Sequence, residues 1–280
     1  MYPNPPTNEM LFERAQEVVS FIRDKGTEFI NISLLDTSRT PRPLLVTMVD
    51  LLCQLGVDRI RFADTVGTAS PWGILQMASI LRDTIDRSSA AKKPLLLSHT
   101  HNDLGFGTAN AIAAVMGGVD MVDLSVNGLG DRCGNSDLAQ VVIGIEGILD
   151  FDTNINVSKL CYISREVSRI SGIPIPRNAP IVGDMAFCVE HDAHTLAAFS
   201  DPFAYAGLDP KSVGNAPKLV VGKKNGPEFL RIKLQSLGMS PLNPALTQKV
   251  LSAIHQRSDC AHGAIISDDE FRQIVSACQQ

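Results

Sequence analysis

The sequence predicts an α/β fold in which parallel strands alternate with helices and close toward a (β/α)8 barrel, followed by a smaller second region. Strand-like and helix-like segments alternate up to about residue 150. Polar motifs follow successive predicted strands, and no Gly-x-Gly-x-x-Gly pattern follows the first one. An open parallel sheet shares the alternation, but a barrel brings the ends of its strands to one pocket. The position of the polar motifs therefore favours the barrel.

The first half of the chain contains five predicted helices and four predicted strands. The helices show apolar residues spaced three or four apart, and the strands are short β-rich or apolar runs. The predicted helices cover 9–25, 43–56, 71–86, 107–118 and 135–149, and the strands cover 28–35, 58–64, 93–101 and 120–128. Asn135 or Ser136 is the expected N-cap of the fifth helix. Such βα units imply a parallel sheet with helices on its faces.

The alternation stops near residue 150, which predicts a change of architecture. We expect part of a barrel over residues 1–150, a helical linker over 151–174 and C-terminal subdomains of α+β or helical type over 175–280. A proline-punctuated linker, "IPIPRNAPIVGD" at 173–184, leads into the last region, and helices are predicted there at 243–256 and 267–279.

Composition excludes several classes of function. The 280 residues carry a formal net charge of -5 without a basic stripe, so we expect no nucleic-acid surface. Apolar runs end well short of a membrane span, and the N-terminus lacks the features of a secretory signal. Six cysteines are scattered without a Cys-x-x-Cys pair, which is typical of reduced thiols in the cytoplasm.

Two histidines close the third predicted strand. His99 and His101 are two residues apart, so on a strand both side chains point to the same face. Two imidazoles at a strand end form half of a divalent-metal site, and Asn102 and Asp103 follow directly. The alternative is a pair of ordinary loop histidines.

The loop after the fourth predicted strand, "VNGLGDRCGNSD" at 126–137, is rich in glycine. Glycines at this density indicate unusual backbone dihedral angles or the close approach of a bound group. Asn135, near the end of the loop, offers an amide oxygen as a hard metal ligand. The alternative is a glycine-rich turn that ends in a helix cap.

These two segments resemble a known family. "SHTHNDLGFGTANAIAAV" and "VNGLGDRCGN" are similar to the signature pair of the 2-isopropylmalate/homocitrate synthase branch of the DRE-TIM metallolyase superfamily. "RFADTVGTASPWGIL" is most similar to homocitrate synthases of the nitrogen-fixation (NifV) type. The resemblance implies a Claisen-type condensation of acetyl-CoA with a 2-oxo acid, 2-oxoglutarate in the homocitrate type. The cofactor it implies is a divalent metal: Mg, Mn, Zn or Co.

The resemblance also assigns roles to residues near the predicted strand ends. His99, His101 and Asn135 match the metal ligands of the family. Thr65 matches the threonine that holds the substrate carboxylate, and Arg39 matches a polar residue near the substrate side chain.

In the C-terminal region, "FCVEHDAH" resembles a family motif that carries catalytic residues. Glu190 and His194 match its positions, and Tyr205 matches a tyrosine further along the chain. By resemblance, His194 and Tyr205 reach the acetyl-CoA site of a neighbouring subunit.

The family's first strand carries the motif Asp-x-Thr-Leu-Arg-Asp-Gly-x-Gln, which does not occur in this sequence. The resemblance therefore implies a partial (β/α)8 TIM barrel, about strands 4–8, with a C-terminal α+β or helical subdomain. The implied partner is a separate chain that carries the N-terminal strands, in a hetero- or homo-oligomer. Leu35 stands where the family has a pocket glutamate. A sister synthase of the 2-isopropylmalate or citramalate type and an inert truncated remnant stay open as alternatives.

Overall fold

The computed structural model describes residues 6–280 except 202, 204, 205 and 261–264, and it describes residues 196, 198–200 and 260 by their backbone alone. The chain divides into two compact units, Met1–Ile155 and Asn156–Gln280. Helix 160–171 falls within the second unit.

The first unit is a parallel sheet whose strands are joined by helices. Its four strands are hydrogen-bonded in the order β1-β2-β3-β4, and every pair is parallel. The elements in chain order are α1 (Asn8–Asp24), β1 (Asn31–Leu34), α2 (Arg42–Gln54), β2 (Arg59–Asp64), α3 (Pro71–Arg87), β3 (Leu95–Thr100), α4 (Gly107–Met116), β4 (Met121–Asp123) and α5 (Leu138–Ile148). The predicted alternation of strands and helices is confirmed.

The core of this unit lies between one face of the sheet and the helices. Ile60 and Phe62 of β2 and Leu96 of β3 are fully buried and pack with apolar side chains of α2 and α3. Alternate residues of a strand point to opposite faces, so Arg61 lies on the face away from this core. That second face carries polar side chains, and it is the face on which the candidate site is built.

The described sheet has four strands, one fewer than an arc of barrel strands 4–8 requires. Among the described residues that precede β1, Asn8–Asp24 form the amphipathic helix α1. Thr7 caps this helix, because its hydroxyl accepts the backbone N–H of Met10 at 3.3 Å.

The start of α5 differs from the prediction. The N-cap is Asp137, whose carboxylate accepts a backbone N–H of the first turn at 2.9 Å. Asn135 and Ser136, the predicted caps, are engaged elsewhere, because Asn135 pairs with His101 and the Ser136 hydroxyl lies 2.6 Å from the hydroxyl of Thr100. Both residues attach the loop to the end of β3, so neither is free to cap.

The second unit is mainly helical. Its elements are α6 (Leu160–Ser171), β5 (Cys188–Val189), α7 (Asp192–Ser200), β6 (Lys218–Leu219), α8 (Pro227–Ser236), α9 (Pro244–Cys260) and α10 (Asp268–Gln279). The strands form a two-stranded parallel sheet, and Phe229, Ile254 and Phe271 are fully buried in the helical core. The predicted helices at 243–256 and 267–279 are confirmed, and α6 lies within the predicted helical linker, 151–174. No helix in the described part of the chain has the length and apolarity to span a membrane.

Candidate metal centre

His99 and His101 turn their imidazoles toward each other at the end of β3. Their Nε2 atoms are 3.2 Å apart and their ring planes are nearly perpendicular, at 80°. Two nitrogens that bind one ion at about 2.0–2.1 Å lie roughly 3 Å from each other. The observed spacing therefore fits two ligands of one metal ion, although one N–H···N hydrogen bond would have the same length.

The loop after β4 is attached to the end of β3 by backbone hydrogen bonds. Asn102 N–H donates to the carbonyl of Gly134 at 2.9 Å, and Ser136 N–H donates to the carbonyl of Thr100 at 3.2 Å. Between these two bonds, His101 and Asn135 form an isolated antiparallel bridge. The backbone thus places the Asn135 side chain beside the second histidine.

Two glycines allow this loop to fold so tightly. Gly134 has φ +89°, and a Cβ built there would lie 1.9 Å from the carbonyl oxygen of Gly128. A Cβ on Gly130 would lie 2.5 Å from Asn135 Nδ2. The chain therefore needs glycine at both positions to bring Asn135 into place.

The amide oxygen of Asn135 fits the role of a metal ligand. This Oδ1 is buried, and it has no hydrogen-bond partner among the described residues. A buried acceptor without a partner costs about 1–3 kcal/mol, which an ion would offset by coordination. Burial, with the neighbouring His99 and Arg132, lowers the pKa of His101, so its imidazole is held in the neutral form that metals bind.

The described residues supply only part of a full ligand set. No group of three or more His, Cys, Asp or Glu side chains converges anywhere in the described ranges as a metal site would require. His99, His101 and Asn135, here named the strand-end cluster, provide two nitrogens and one amide oxygen. Because divalent metals take four to six ligands, further ligands must come from outside this cluster.

Asp123, on β4, contacts the other nitrogen of His99. Its Oδ2 lies 3.3 Å from His99 Nδ1, without the alignment of a formed hydrogen bond, and 3.0 Å from Arg61 Nη1. His99 and Arg61 lower the pKa of Asp123, so its carboxylate is charged. Sequence reasoning missed both residues. The strand register sets Asp123 opposite His99, and that register follows from the pairing of β3 with β4 rather than from a motif.

Thr65 and Arg39 both contact Asp36, which follows the end of β1. The backbone N–H of Asp36 donates to the Thr65 hydroxyl at 2.8 Å. Arg39 forms two hydrogen bonds to the Asp36 carboxylate, at 2.8 and 2.6 Å, and this pairing raises the pKa of Arg39. The two predicted substrate residues are thus near each other, and the Thr65 hydroxyl, which accepts here, keeps its proton to donate.

Arg132 joins the loops that follow three successive strands. It pairs with Asp103 through two hydrogen bonds, at 2.6 and 3.0 Å, and donates to the carbonyl of Thr65 at 2.8 Å. The Arg132 guanidinium lowers the pKa of Asp103. Sequence reasoning did not single out this arginine, and its position inside the glycine-rich loop was the only signal available.

Glu190, in the second unit, is engaged with backbone. Its Oε1 accepts the N–H of Lys224 at 3.0 Å, and its own carbonyl accepts the side-chain amide of Asn225 at 2.6 Å. A Cβ on Gly222 would lie 2.5 Å from the same carboxylate oxygen. The carboxylate therefore holds the turn that precedes α8.

His194 lies in α7, close to the imidazole of His191. The two ring centroids are 4.8 Å apart and the rings are tilted by 35°. Between them in sequence, Asp192 accepts backbone N–H groups of Gly226 at 3.2 Å and Phe229 at 2.5 Å, at the start of α8. Tyr205 lies outside the described residues, so its predicted role has no structural counterpart here.

Comparison with known proteins decides the family. Residues 6–167, more than half of the chain, match the family described as HMGL-like. The chain belongs to the HMGL-like family. The predicted fold class, an α/β fold that forms part of a TIM barrel with a helical C-terminal part, is confirmed.

Several curated proteins match this HMGL-like chain over nearly its whole length. A probable 2-isopropylmalate synthase of Ignicoccus hospitalis is 34% identical over 96% of this chain and 65% of its own length. A putative (R)-citramalate synthase CimA of Methanopyrus kandleri is 33% identical over 95% of this chain and 51% of its own length. The homocitrate synthase AksA of the same organism is 31% identical over 96% of this chain and 65% of its own length. The chain thus spans between about half and two thirds of these relatives.

Proposed function

We propose that this chain carries the metal-ligand end of a synthase that condenses acetyl-CoA with a 2-oxo acid. The observation that carries the proposal is the strand-end cluster, where two histidine Nε2 atoms lie 3.2 Å apart. Asn135, which is bridged to His101, has a buried amide oxygen without a hydrogen-bond partner among the described residues. The relatives, which are named as 2-isopropylmalate, citramalate and homocitrate synthases, support the reaction class.

His99, His101 and Asn135 would hold the metal, whose chemistry is the polarisation of the keto oxygen of the 2-oxo acid. Thr65 would donate its free hydroxyl proton to the substrate carboxylate while its oxygen accepts from Asp36. Arg39 uses two of its donors on Asp36, and the guanidinium is exposed, so further donors are available to a substrate side chain.

The second unit would act on acetyl-CoA. Condensation requires the loss of a proton from the acetyl methyl group, and a histidine imidazole is a suitable base. The similarity of "FCVEHDAH" to the family motif supports His194 in this role, with Glu190 and Tyr205 beside it. We propose that these residues serve the site of a neighbouring subunit.

For the 2-oxo acid we propose 2-oxoglutarate, since the segment "RFADTVGTASPWGIL" is most similar to homocitrate synthases of the nitrogen-fixation type. One observation favours a second candidate. Leu35, where the family has a pocket glutamate, is 65% exposed at the end of β1. An apolar side chain there suits a substrate with an apolar side chain, such as the 2-oxo acid of a 2-isopropylmalate or citramalate synthase.

We also propose that a polypeptide bearing the Asp-x-Thr-Leu-Arg-Asp-Gly-x-Gln motif completes the barrel. In the described sheet, β1 and β4 each pair with one neighbouring strand, whereas a closed barrel has no unpaired edge. An aspartate on the added strands would supply a ligand that the strand-end cluster lacks. The assembly would be a hetero- or homo-oligomer.

The test is co-expression of the full chain with that polypeptide, followed by assay of the purified pair. Release of free CoA from acetyl-CoA is measured with 2-oxoglutarate, 2-oxoisovalerate and pyruvate, with divalent metal and with a chelator. We expect metal-dependent release that is fastest with 2-oxoglutarate. Faster turnover of an apolar 2-oxo acid would favour the sister synthase. A pair that assembles, binds metal and releases no CoA would refute the enzyme and favour an inert remnant.

A further inference from the structure

A row of polar side chains crosses all four strands of the first unit behind the strand-end cluster. Arg61 Nε donates to the Ser33 hydroxyl at 2.9 Å, and Arg61 Nη1 donates to Asp123 Oδ2 at 3.0 Å. The same carboxylate oxygen lies 3.3 Å from His99 Nδ1. The proposed function assigns no role to Ser33, Arg61 or Asp123.

The position of Asp123 on the imidazole decides what it can do. The two nitrogens of an imidazole point in different directions, and Asp123 contacts Nδ1 while Nε2 faces His101. Asp123 therefore does not face the ion that Nε2 would face. A carboxylate next to Nδ1 favours the tautomer in which Nδ1 carries the proton and Nε2 keeps a free electron pair.

We propose that Asp123, held in place by Arg61, is a positioning residue that keeps the proton of His99 on Nδ1 and so turns Nε2 into a metal ligand. This proposal rests on the metal site of the proposed function, but it makes a statement about His99 that holds without metal. Arg61 binds Ser33 through Nε and Asp123 through Nη1, so the order of contacts is Ser33, Arg61, Asp123, His99.

The two histidines differ in this respect. Nδ1 is buried without a formed hydrogen bond in both histidines, but Asp123 Oδ2 lies 3.3 Å from Nδ1 of His99. Among the described residues, no carboxylate makes a comparable contact with His101. If Asp123 served only to pair with Arg61, its removal would leave the tautomer of His99 unchanged.

The experiment compares the full chain with three variants, Asp123→Asn, Asp123→Ala and Arg61→Gln. The control is Asp83→Asn, which removes an exposed carboxylate from helix α3. Each protein is labelled with ¹⁵N-histidine, and the tautomer of His99 is read from its ring nitrogen shifts in the absence of metal, with assignment from a His99→Gln sample. Affinity for Co²⁺ or Zn²⁺ is then measured by titration at one pH.

We expect the Nδ1–H tautomer at His99 in the unmodified chain and in Asp83→Asn. In Asp123→Ala the proton should redistribute between the two nitrogens, and metal binding should weaken by about tenfold or more. Asp123→Asn, which keeps the shape of the side chain, should weaken binding by about tenfold, and Arg61→Gln by less.

Either of two tautomer measurements would overturn the proposal: an Nε2–H tautomer at His99 in the unmodified chain, or an unchanged tautomer in Asp123→Ala. Unchanged metal affinity in both Asp123 variants would also overturn it when His99→Gln loses binding. If the unmodified chain and its assembled complex bind no metal, the proposed function fails, and the tautomer measurement alone still decides the role of Asp123.

Discussion

The strand-end cluster and the segment around Glu190 both contain histidines and a side-chain oxygen that can accept a hydrogen bond. The two regions differ in whether that oxygen has a hydrogen-bond partner. In the cluster, the buried Oδ1 of Asn135 has no hydrogen-bond partner among the described residues. In the second unit, Glu190 accepts the N–H of Lys224, and Asp192 accepts two backbone N–H groups at the start of α8. One region keeps an oxygen available for a ligand, and the other uses its oxygens to hold the chain.

The family resemblance assigns a site role to both Asn135 and Glu190, but their contacts differ in kind. A buried acceptor without a partner is costly, and a bound ion at the histidines would offset that cost at Asn135. A carboxylate that holds a turn is already explained by the fold. The cluster is therefore the stronger candidate for ligand binding, and Glu190 needs a test that separates structure from chemistry.

The largest expected effect is that of His101→Ala. Loss of one of two nitrogens at 3.2 Å should abolish metal binding by the cluster and lower metal-dependent turnover of the assembled enzyme by about 10³-fold or more. His194→Ala should lower turnover while leaving metal affinity unchanged, because His194 is proposed as the base and not as a metal ligand. Metal titration and CoA release, measured on the same samples, check both.

The control for these variants is His255→Ala, a histidine on α9 that contacts the carbonyl of Asn225. It should leave metal affinity unchanged. Loss of metal binding in His194→Ala but not in His101→Ala would reverse the assignment of the two regions.

Gly134→Ala should destroy the cluster through the backbone. The added Cβ meets the carbonyl of Gly128 at 1.9 Å and also forces an alanine to adopt φ +89°, so the loop that carries Asn135 must move. We expect a loss of about 3 kcal/mol in unfolding free energy or a displaced loop, with loss of metal binding. Chemical denaturation and metal titration check this.

Gly172→Ala is the matched control. Gly172 has φ +71°, and an added Cβ meets nothing within 4 Å, so only the backbone strain remains. This variant should lose about 1 kcal/mol and keep its metal affinity. Equal losses in the two variants would show that the close approach at Gly134 is unimportant.

Glu190→Gln and Glu190→Ala separate the two roles of this carboxylate. The glutamine oxygen can still accept the N–H of Lys224, so Gln should unfold like the unmodified chain, whereas Ala should lose about 2 kcal/mol. If Glu190 also takes part in the chemistry, turnover should fall in both variants. Normal turnover in Glu190→Gln would assign the residue to structure alone.

The smallest effect is expected at Asp58, a carboxylate of the first unit that holds backbone as Glu190 does. It accepts the N–H of Ile30 at 2.7 Å and pairs with Lys92, and these contacts lower the pKa of Asp58. A lowered folded-state pKa contributes stability above the unfolded value, near 4, and that contribution is lost as the pH falls through the folded pKa.

Asp58→Asn should therefore lose about 1 kcal/mol at pH 7 and progressively less below about pH 4. Urea unfolding of both proteins from pH 3 to pH 7 measures this difference, with Asp83→Asn as the exposed control. A difference that is independent of pH would mean that the charge of Asp58 contributes nothing.

Local pattern predicted most of the fold. The helix predicted at 71–86 is observed as Pro71–Arg87, and the strand predicted at 58–64 as Arg59–Asp64. The strand predicted at 120–128 ends early, at Asp123, because Ser125 N–H bonds to the carbonyl of Ser136 and the chain turns at Asn127 with φ +59°. That end depends on a partner farther along the chain, which no local pattern contains.

The candidate site divides in the same way. The sequence itself identified the strand-end cluster, since its residues follow predicted strands and lie in motifs similar to those of the family. Asp123 and Arg132 were not, because their contacts depend on which strand pairs with which, and in what register. Parallel pairing joins residues that are distant in sequence, so a single sequence holds no local signal for it.

The contacts of Arg132 have a consequence for local unfolding. One guanidinium binds the loops after β2, β3 and β4, so none of the three can open without breaking a bond to the same side chain. Amide hydrogens in these loops should then exchange with solvent through one shared opening reaction rather than three independent ones. A substrate that binds Thr65 and reduces the motion of its loop would also reduce the motion of the loops that carry Asp103 and Asn135, because Arg132 connects all three.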